Sequence, residues 1–249
     1  MNEHIVIITG SAPIDPHVAE RLPGECLLMA VDGGLDQALA VGLAPSHLVG
    51  DLDSVTEAGL AWAARHSDIT RHPADKEQTD TELALALAAT FDPDRITLIG
   101  GGDRLDHSIA AIGALGALTL TSVPVLDAWW GTQHVRVVHG PGSATLRVRT
   151  GSLLSLLAMH GPCSNVAITG TRWELEHRDL DPVVGVGISN LVGGHADDTE
   201  SDAGDETGAA ADVTVSLSSG VLTIFDVPAD GDAAADAAAD DASDVEVAS

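Results

Sequence analysis

Asp51 and Asp53 stand one residue apart behind Gly50, at the end of the short apolar run from His47 to Val49. On an extended chain residues i and i+2 point the same way, so the two carboxylates would share one side, and Gly50 would let a ligand approach the backbone closely. Paired hard oxygens suit a cation that already carries phosphate oxygens; Mg²⁺ typically takes one or two carboxylates together with substrate phosphates. In an acidic chain the same Asp-x-Asp is also what a solvated turn looks like.

Three further clusters bear on that choice. Asp75-Lys76-Glu77-Gln78-Thr79-Asp80 lies where an extended run passes into a helical pattern. Backbone N–H groups of Gln78, Thr79 and their neighbours then face an anion at a helix start. Asp80 is either a dipole-stabilising acid of the first turn or a third carboxylate toward the metal, and Lys76, the only lysine, is either a surface charge or a phosphate contact. Gly100-Gly101-Gly102-Asp103-Arg104-Leu105-Asp106-His107 follows the next run. Its glycines permit close approach to a polyphosphate, Arg104 offers a planar fork of donors, and Asp106 and His107 open a helix. Arg104 could equally be a partner for nearby acids. Asp32-Gly33-Gly34 makes a fourth such loop, in which Asp32 contacts a nucleotide or only shapes a turn.

These loops need a frame. The runs His4 to Thr9, Leu27 to Val31, Ile69 to His72, Arg95 to Ile99 and Val123 to Leu126 read as strands with helical texture between them. Thr79 and Glu82 form a Thr-x-x-Glu capping box, and Leu83, Leu87 and Phe91 follow at i, i+4 spacing until Asp92-Pro93 ends the helix. A second helix near 105–118 places Leu105, Ile109 and Ile112 on one face. Alternating strands and helices imply a mainly parallel, doubly wound α/β sheet over residues 1–130, with the loops at its carboxyl edge, where open α/β folds bind ligands.

From Gly131 the texture changes to short alternating runs separated by Gly, Pro and Ser: His134 to Val138, Ala144 to Arg149, Leu153 to Ala158, Val166 to Thr169, Val213 to Leu217 and Val221 to Phe225. That pattern predicts an all-β sandwich over 131–228. Residues 192–212 read as an acidic loop insertion and 229–249 as a disordered acidic tail. Within the β half, Trp173 and the pair Ser189-Asn190 stand out as a core residue and a turn, or as contacts for an aromatic substrate.

The 249 residues carry a formal charge of −27 with ten Arg and one Lys. Such a surface repels nucleic acid and anionic membranes. Its acid excess with almost no Lys fits a halophilic-type protein kept soluble in concentrated intracellular salt. Cys26 and Cys163 have no metal spacing, and no signal peptide precedes them, so a reduced cytoplasm is the expected compartment. The apolar stretches near 5–9 and 111–120 fall short of the ~20 residues that span a bilayer.

Taken in order, Asp32-Gly33-Gly34, Gly50-Asp51-Leu52-Asp53-Ser54, Thr79-Asp80, Arg104-Leu105-Asp106-His107, Gly170-x-x-Trp173-x-Leu175 and Ser189-Asn190 resemble the thiamine pyrophosphokinase family, over residues 30–225 apart from 192–212. The resemblance implies an α/β domain, a β-sandwich, and a homodimer with its active site between subunits. It assigns Asp51, Asp53 and Asp80 to Mg²⁺ and the phosphates of ATP, and Arg104 and Asp106 to the transferred group. Asp32, Gly33, Lys76, Gln78, Thr79 and His107 line the ATP side, and Trp173, Ser189 and Asn190 meet thiamine. The implied reaction is attack of the thiamine hydroxyl on the β-phosphorus of ATP, with Asp106 a candidate to take the proton. Glu77, Asp103 and the 192–212 insertion depart from the family pattern, and a hydroxymethylpterin is the alternative acceptor. Two other readings compete. Asp51-Leu52-Asp53-Ser54-Val55 also fits the nucleophile motif of haloacid-dehalogenase-type phosphatases, and a non-catalytic nucleotide- or thiamine-binding module would use the same scaffold.

Overall fold

The computed structural model describes residues 4–102, 104–182, 184–193 and 209–228. The chain divides into two compact units between Gly131 and Thr132.

The first unit alternates strand and helix throughout: β1 (His4–Ile8), α1 (Pro16–Glu20), β2 (Leu27–Val31), α2 (Gly34–Ala40), β3 (His47–Gly50), α3 (Glu57–His66), β4 (Asp68–Arg71), α4 (Asp80–Ala89), β5 (Arg95–Gly100), α5 (Leu105–Ala114) and β6 (Val125–Trp130). The strands pair in parallel in the order β6-β5-β1-β2-β3-β4. Ile5 to Ile8 of β1 are fully buried, as an unbroken apolar run in a sheet covered on both faces must be. After β1 the chain builds outward through β2, β3 and β4, then returns to place β5 on the other side of β1. That reversal puts a topological switch point between the carboxyl ends of β1 and β5, the place where such sheets open a crevice.

Local chemistry fixes where the helices start. Thr79 Oγ1 accepts from Glu82 N at 3.2 Å while Glu82 Oε2 accepts from Thr79 N at 2.7 Å, completing the capping box of α4. Thr56 caps α3 by accepting from Gly59 N at 3.0 Å, and is itself held by Asp36 of α2 through Thr56 N at 2.8 Å. Two helical faces differ from the sequence reading. α4 buries Ala84, Leu85 and Ala88 rather than the Leu83, Leu87 and Phe91 stripe, and Phe91 is exposed. In α5 only Ile112 of the expected face is buried; Leu105 and Ile109 are 70% and 53% exposed. Both helices are apolar nearly all round, so the i, i+4 pattern could not choose the buried side, and small alanines let α4 lie close to the sheet.

The second unit is an antiparallel sandwich. One sheet runs β12 (Asn190–Leu191), β9 (Leu153–Leu157), β14 (Val221–Val227), β7 (Gln133–His139); the other runs β11 (Leu175–Leu180), β10 (Cys163–Thr169), β13 (Ala210–Leu217), β8 (Gly142–Arg149). Leu146, Val148, Leu154, Leu156, Val166, Ile168, Val213, Val215, Leu222 and Ile224 fill one core between the sheets. Fold class thus agrees with the sequence pattern. Three boundaries move. β6 reaches Trp130, beyond the expected end at Leu126; β13 starts at Ala210, inside the segment read as loop to 212; and β11 was unrecognised because Glu176, His177, Arg178 and Asp179 are all exposed on an edge strand. The rest of the 192–212 insertion, between 194 and 208, and the 229–249 tail lie outside the described residues. Among the described residues no helix is long and apolar enough to cross a membrane.

Candidate active site

Because the first unit's strands are parallel, the loops after β2, β3, β4 and β5 all leave from one edge. Asp32 directly follows β2 and is the residue around which the site is organised. Its Oδ1 accepts a hydrogen bond from Leu52 N at 3.0 Å, on the loop after β3. The carboxylate lies against Gly50, where φ is +144° and a Cβ would fall 1.8 Å from Asp32 Oδ1. Only glycine leaves that space. Leu52 pays for its position with φ +69°, strained for a branched residue, and Asp32 itself has φ +47°.

This turn corrects the reason for grouping Asp51 with Asp53. β3 ends at Gly50, so the pair is not on extended chain; Asp53 N donates to Asp51 Oδ1 at 3.1 Å across a left-handed Leu52. The acids converge through a turn, not through strand alternation. Ser54 closes the same loop, its Oγ accepting from Gly33 N at 3.1 Å.

Burial, and then the neighbouring carboxylates of Asp80, Asp51 and Asp53, push the Asp32 carboxyl up to about 6 against the opposing hydrogen bond from Leu52. Four sequence-nominated aspartates are therefore close enough to feel one another. Asp80 in the first turn of α4 pairs through Oδ2 with Lys76 Nζ at 3.0 Å, and Lys76 also donates to Pro73 O at 3.0 Å. The other oxygen, Asp80 Oδ1, is buried without a hydrogen-bond partner. Gln78 and Thr79 are exposed on the approach to this helix.

Whether Mg²⁺ suits these residues is decided by their chemistry. Among the described residues no three His, Cys, Asp or Glu side chains form a ready-made ion cage. Mg²⁺ does not require one, since it keeps waters and substrate oxygens in its shell. An unpartnered buried carboxylate oxygen, and an aspartate driven toward its protonated form by burial and then by three other carboxylates, mark hard negative charge that a divalent cation relieves. The donor set fits.

At the switch point the loops of β1 and β5 interlock. Thr9 Oγ1 donates to Ile99 O at 3.1 Å and is hydrogen-bonded to Ser11 Oγ at 3.0 Å, and a Cβ on Gly102, φ +107°, would meet Ser11 O at 2.3 Å. α5 begins here without a side-chain cap, in contrast to the self-capped α4, so its N–H groups are the more available for an anion. Arg104 and Asp106 form a bidentate pair at 3.0 and 2.7 Å, both well exposed. The Arg104 hydrogen bonds hold the Asp106 carboxyl well below the usual range, which is opposite to what a proton acceptor needs. His107 is exposed with Nε2 4.0 Å from Asp106. Thr9, Gly10, Ser11 and Trp130 also belong to this edge and were missed; the Gly10-Ser11 step closing the first apolar run was the available signal.

In the second unit Asn190 is 4% exposed and its amide is committed. Nδ2 donates to Thr171 Oγ1 at 2.9 Å and Trp173 O at 2.7 Å, and Oδ1 accepts from Trp173 N at 3.0 Å. It holds the Trp173 backbone in place. Trp173 is 55% exposed with the Arg172 guanidinium 5.3 Å from its ring, and Ser189, at φ +55°, donates its N–H to Ser155 Oγ at 3.0 Å.

A parallel sheet with clustered aspartates, a glycine-rich loop and an uncapped helix start at its switch point is the arrangement at which open α/β folds bind ligands. Residues 19–126 match the model of the thiamin pyrophosphokinase catalytic domain. It is 29% identical over 126 residues to thiamine pyrophosphokinase of Bacillus subtilis, a match covering 49% of this chain and 59% of that protein. In fold it is similar to the crystal structures of the Bacillus subtilis enzyme, with a TM-score of 0.70, 20% identity, and coverage of 91% of this chain and all of that one. It is similar also to thiamin pyrophosphokinase from Candida albicans, with a TM-score of 0.68, 13% identity, and coverage of 91% and 90%.

Proposed function

We propose that the chain transfers pyrophosphate from ATP to the hydroxyl of thiamine, giving thiamine diphosphate and AMP. The observation that carries this is the convergence of Asp51, Asp53 and Asp80 around Asp32 at the carboxyl edge of a unit that matches the catalytic domain of that family. In the step, the hydroxyl oxygen bonds to the β-phosphorus and gives up its proton to water, the bond from that phosphorus to the α–β bridging oxygen breaks, and AMP leaves.

Asp51, Asp53 and Asp80 would hold Mg²⁺, which when bound supplies neutralisation of phosphate charge. Lys76 and Arg104 add positive charge beside the polyphosphate, and Gly33, Gln78, Thr79 and His107 line its approach. Asp106 serves by orienting the Arg104 fork. Little covalent work is asked of the protein, and positioning with charge stabilisation does most. The second unit supplies thiamine contacts through Trp173 and Ser189, with Asn190 holding the Trp173 loop. A cytoplasmic homodimer completes the reading; exposed Leu153, Trp173, Val184, Val186 and Ile188 support an association surface on that unit.

Incubation with ATP, Mg²⁺ and thiamine tests it. AMP and thiamine diphosphate in equal amounts are expected; release of inorganic phosphate alone would sink the proposal. Hydroxymethylpterin in place of thiamine should yield no AMP.

A further inference from the structure

Trp130 closes β6 at the same edge, and nothing in the reaction above uses it. Its ring lies against the end of β5: a Cβ added to Gly100 would meet ring carbons at 2.4 and 2.6 Å and Thr9 Oγ1 at 2.7 Å. The indole Nε1 donates to Ser108 Oγ at 3.1 Å, and Ser108 is a buried residue of α5 whose own N–H donates to Arg104 O at 2.9 Å. Next in sequence, Gly131 N donates to Gly100 O at 2.9 Å. One side chain thus touches Gly100, where the chain leaves the sheet, and Ser108, near the start of α5.

Gly101 and Gly102 sit at φ +152° and +107°, conformations open to glycine and costly for other residues, and α5 has no side-chain cap at its start. The indole N–H is half-buried and takes Ser108 as its acceptor, and that bond fixes the ring's orientation.

The geometry points to Trp130 as a positioning residue for the phosphate-binding loop, acting through Gly100 and Ser108 to set where Arg104 and the first N–H groups of α5 meet ATP. The inference rests on the reading of this loop as the phosphate site. Trp130→Phe keeps a ring over Gly100 and drops the N–H; Ser108→Ala drops the acceptor; Gly100→Ala displaces the ring from the other side.

The test is ATP binding by calorimetry, together with the separate KM values for ATP and thiamine, in wild type and the three variants. Losing one neutral hydrogen bond predicts about a threefold to tenfold weaker ATP affinity in Trp130→Phe and in Ser108→Ala, with KM for ATP rising alike and KM for thiamine unmoved. The double variant should be no worse than either single one. Gly100→Ala should show the same split more strongly. Wild type binding ATP while Trp130→Phe and Ser108→Ala bind it equally well overturns the positioning role, as does an equal rise in both KM values. Wild type that binds no ATP overturns the phosphate-site reading and this inference with it.

Discussion

Asp32 reaches from the end of β2 to the backbone of Leu52 on the loop after β3, 3.0 Å away, and so ties two strand ends together with a carboxylate held at about 6 by burial and by Asp80, Asp51 and Asp53. The sign of its effect on stability follows. A folded carboxyl raised above its ordinary value of 3.8 binds more protons than the unfolded chain between 3.8 and about 6. Stability from this group therefore falls as pH rises through that window, and the whole cost is present above it. Asp32→Asn keeps an oxygen for Leu52 N and removes the charge. At pH 8 it should melt a few degrees higher, on the order of 1 kcal/mol after discounting for the half-open site, while turnover drops. A lower melting temperature at pH 8 would contradict the account.

Gly50 is where that arrangement is least tolerant. A methyl group there would occupy the Asp32 carboxylate's position, 1.8 Å from Oδ1, on a backbone with φ +144°. Gly50→Ala should destabilise by roughly 2–4 kcal/mol, from displacement and backbone strain together. It should abolish pyrophosphate transfer even in the fraction that remains folded. Chemical unfolding measures the first part, and an unshifted midpoint refutes it.

A second polar site lies within the sheet and makes a different pH prediction. His4 Nε2 meets Thr97 Oγ1 at 2.8 Å, Thr97 donates onward to Asp127 Oδ1 at 2.5 Å, and Arg95 donates to the other Asp127 oxygen. Burial, then Arg95, lower His4 to about 4, with Asp127 opposing. The unfolded chain therefore takes up a proton near 6.5 that the folded chain refuses until about 4, so stability is full above 6.5 and is lost as pH falls through that window. The loss amounts to roughly 3 kcal/mol at most. His4→Gln should flatten the acid limb of unfolding free energy against pH by that amount. Parallel curves for variant and wild type would exclude His4 as the source.

Much of this was legible in the residues, for identifiable reasons. The capping box at Thr79 and Glu82 is a local hydrogen-bond pattern, and local patterns survive folding. The α/β-then-sandwich order follows from a change of hydrophobic period near Gly131. Helix faces were not legible, because α4 and α5 are apolar on nearly every side and only the sheet decides which side is covered. Nor was the turn at Leu52, since a left-handed branched residue has no sequence signature and exists only because Asp32 captures its N–H. Trp130 and Asn190 escaped their roles because each acts through contacts 17 or more residues away.

Asn190 separates positioning from contact in the second unit. Its amide makes three hydrogen bonds to Thr171 and Trp173 and presents almost no surface. Asn190→Asp keeps the acceptor for Trp173 N and loses both donors, leaving buried charge against Trp173 O. KM for thiamine should rise at least tenfold with KM for ATP little changed, and the near-ultraviolet signal of tryptophan should alter. If the thiamine KM stays put, the Trp173 loop is not the acceptor site.

The charge of −27 on 249 residues, with a single lysine, makes the last prediction. Like charges spread over so small a surface repel one another, and repulsion between exposed groups is screened as ionic strength rises, the Debye length shrinking from about 10 Å at 0.1 M to about 3 Å at 1 M. Unfolding spreads those charges apart, so dilute buffer favours the unfolded chain. The melting temperature should therefore climb by several degrees or more between 0.05 and 2 M KCl. Potassium should act as strongly as sodium, since screening depends on ion charge and not identity. At the active-site edge the same salt should act in the opposite direction, weakening ATP binding by screening Lys76 and Arg104 from the polyphosphate. An unchanged melting temperature across that range would show that the acidic surface has no role in keeping the chain folded in salt.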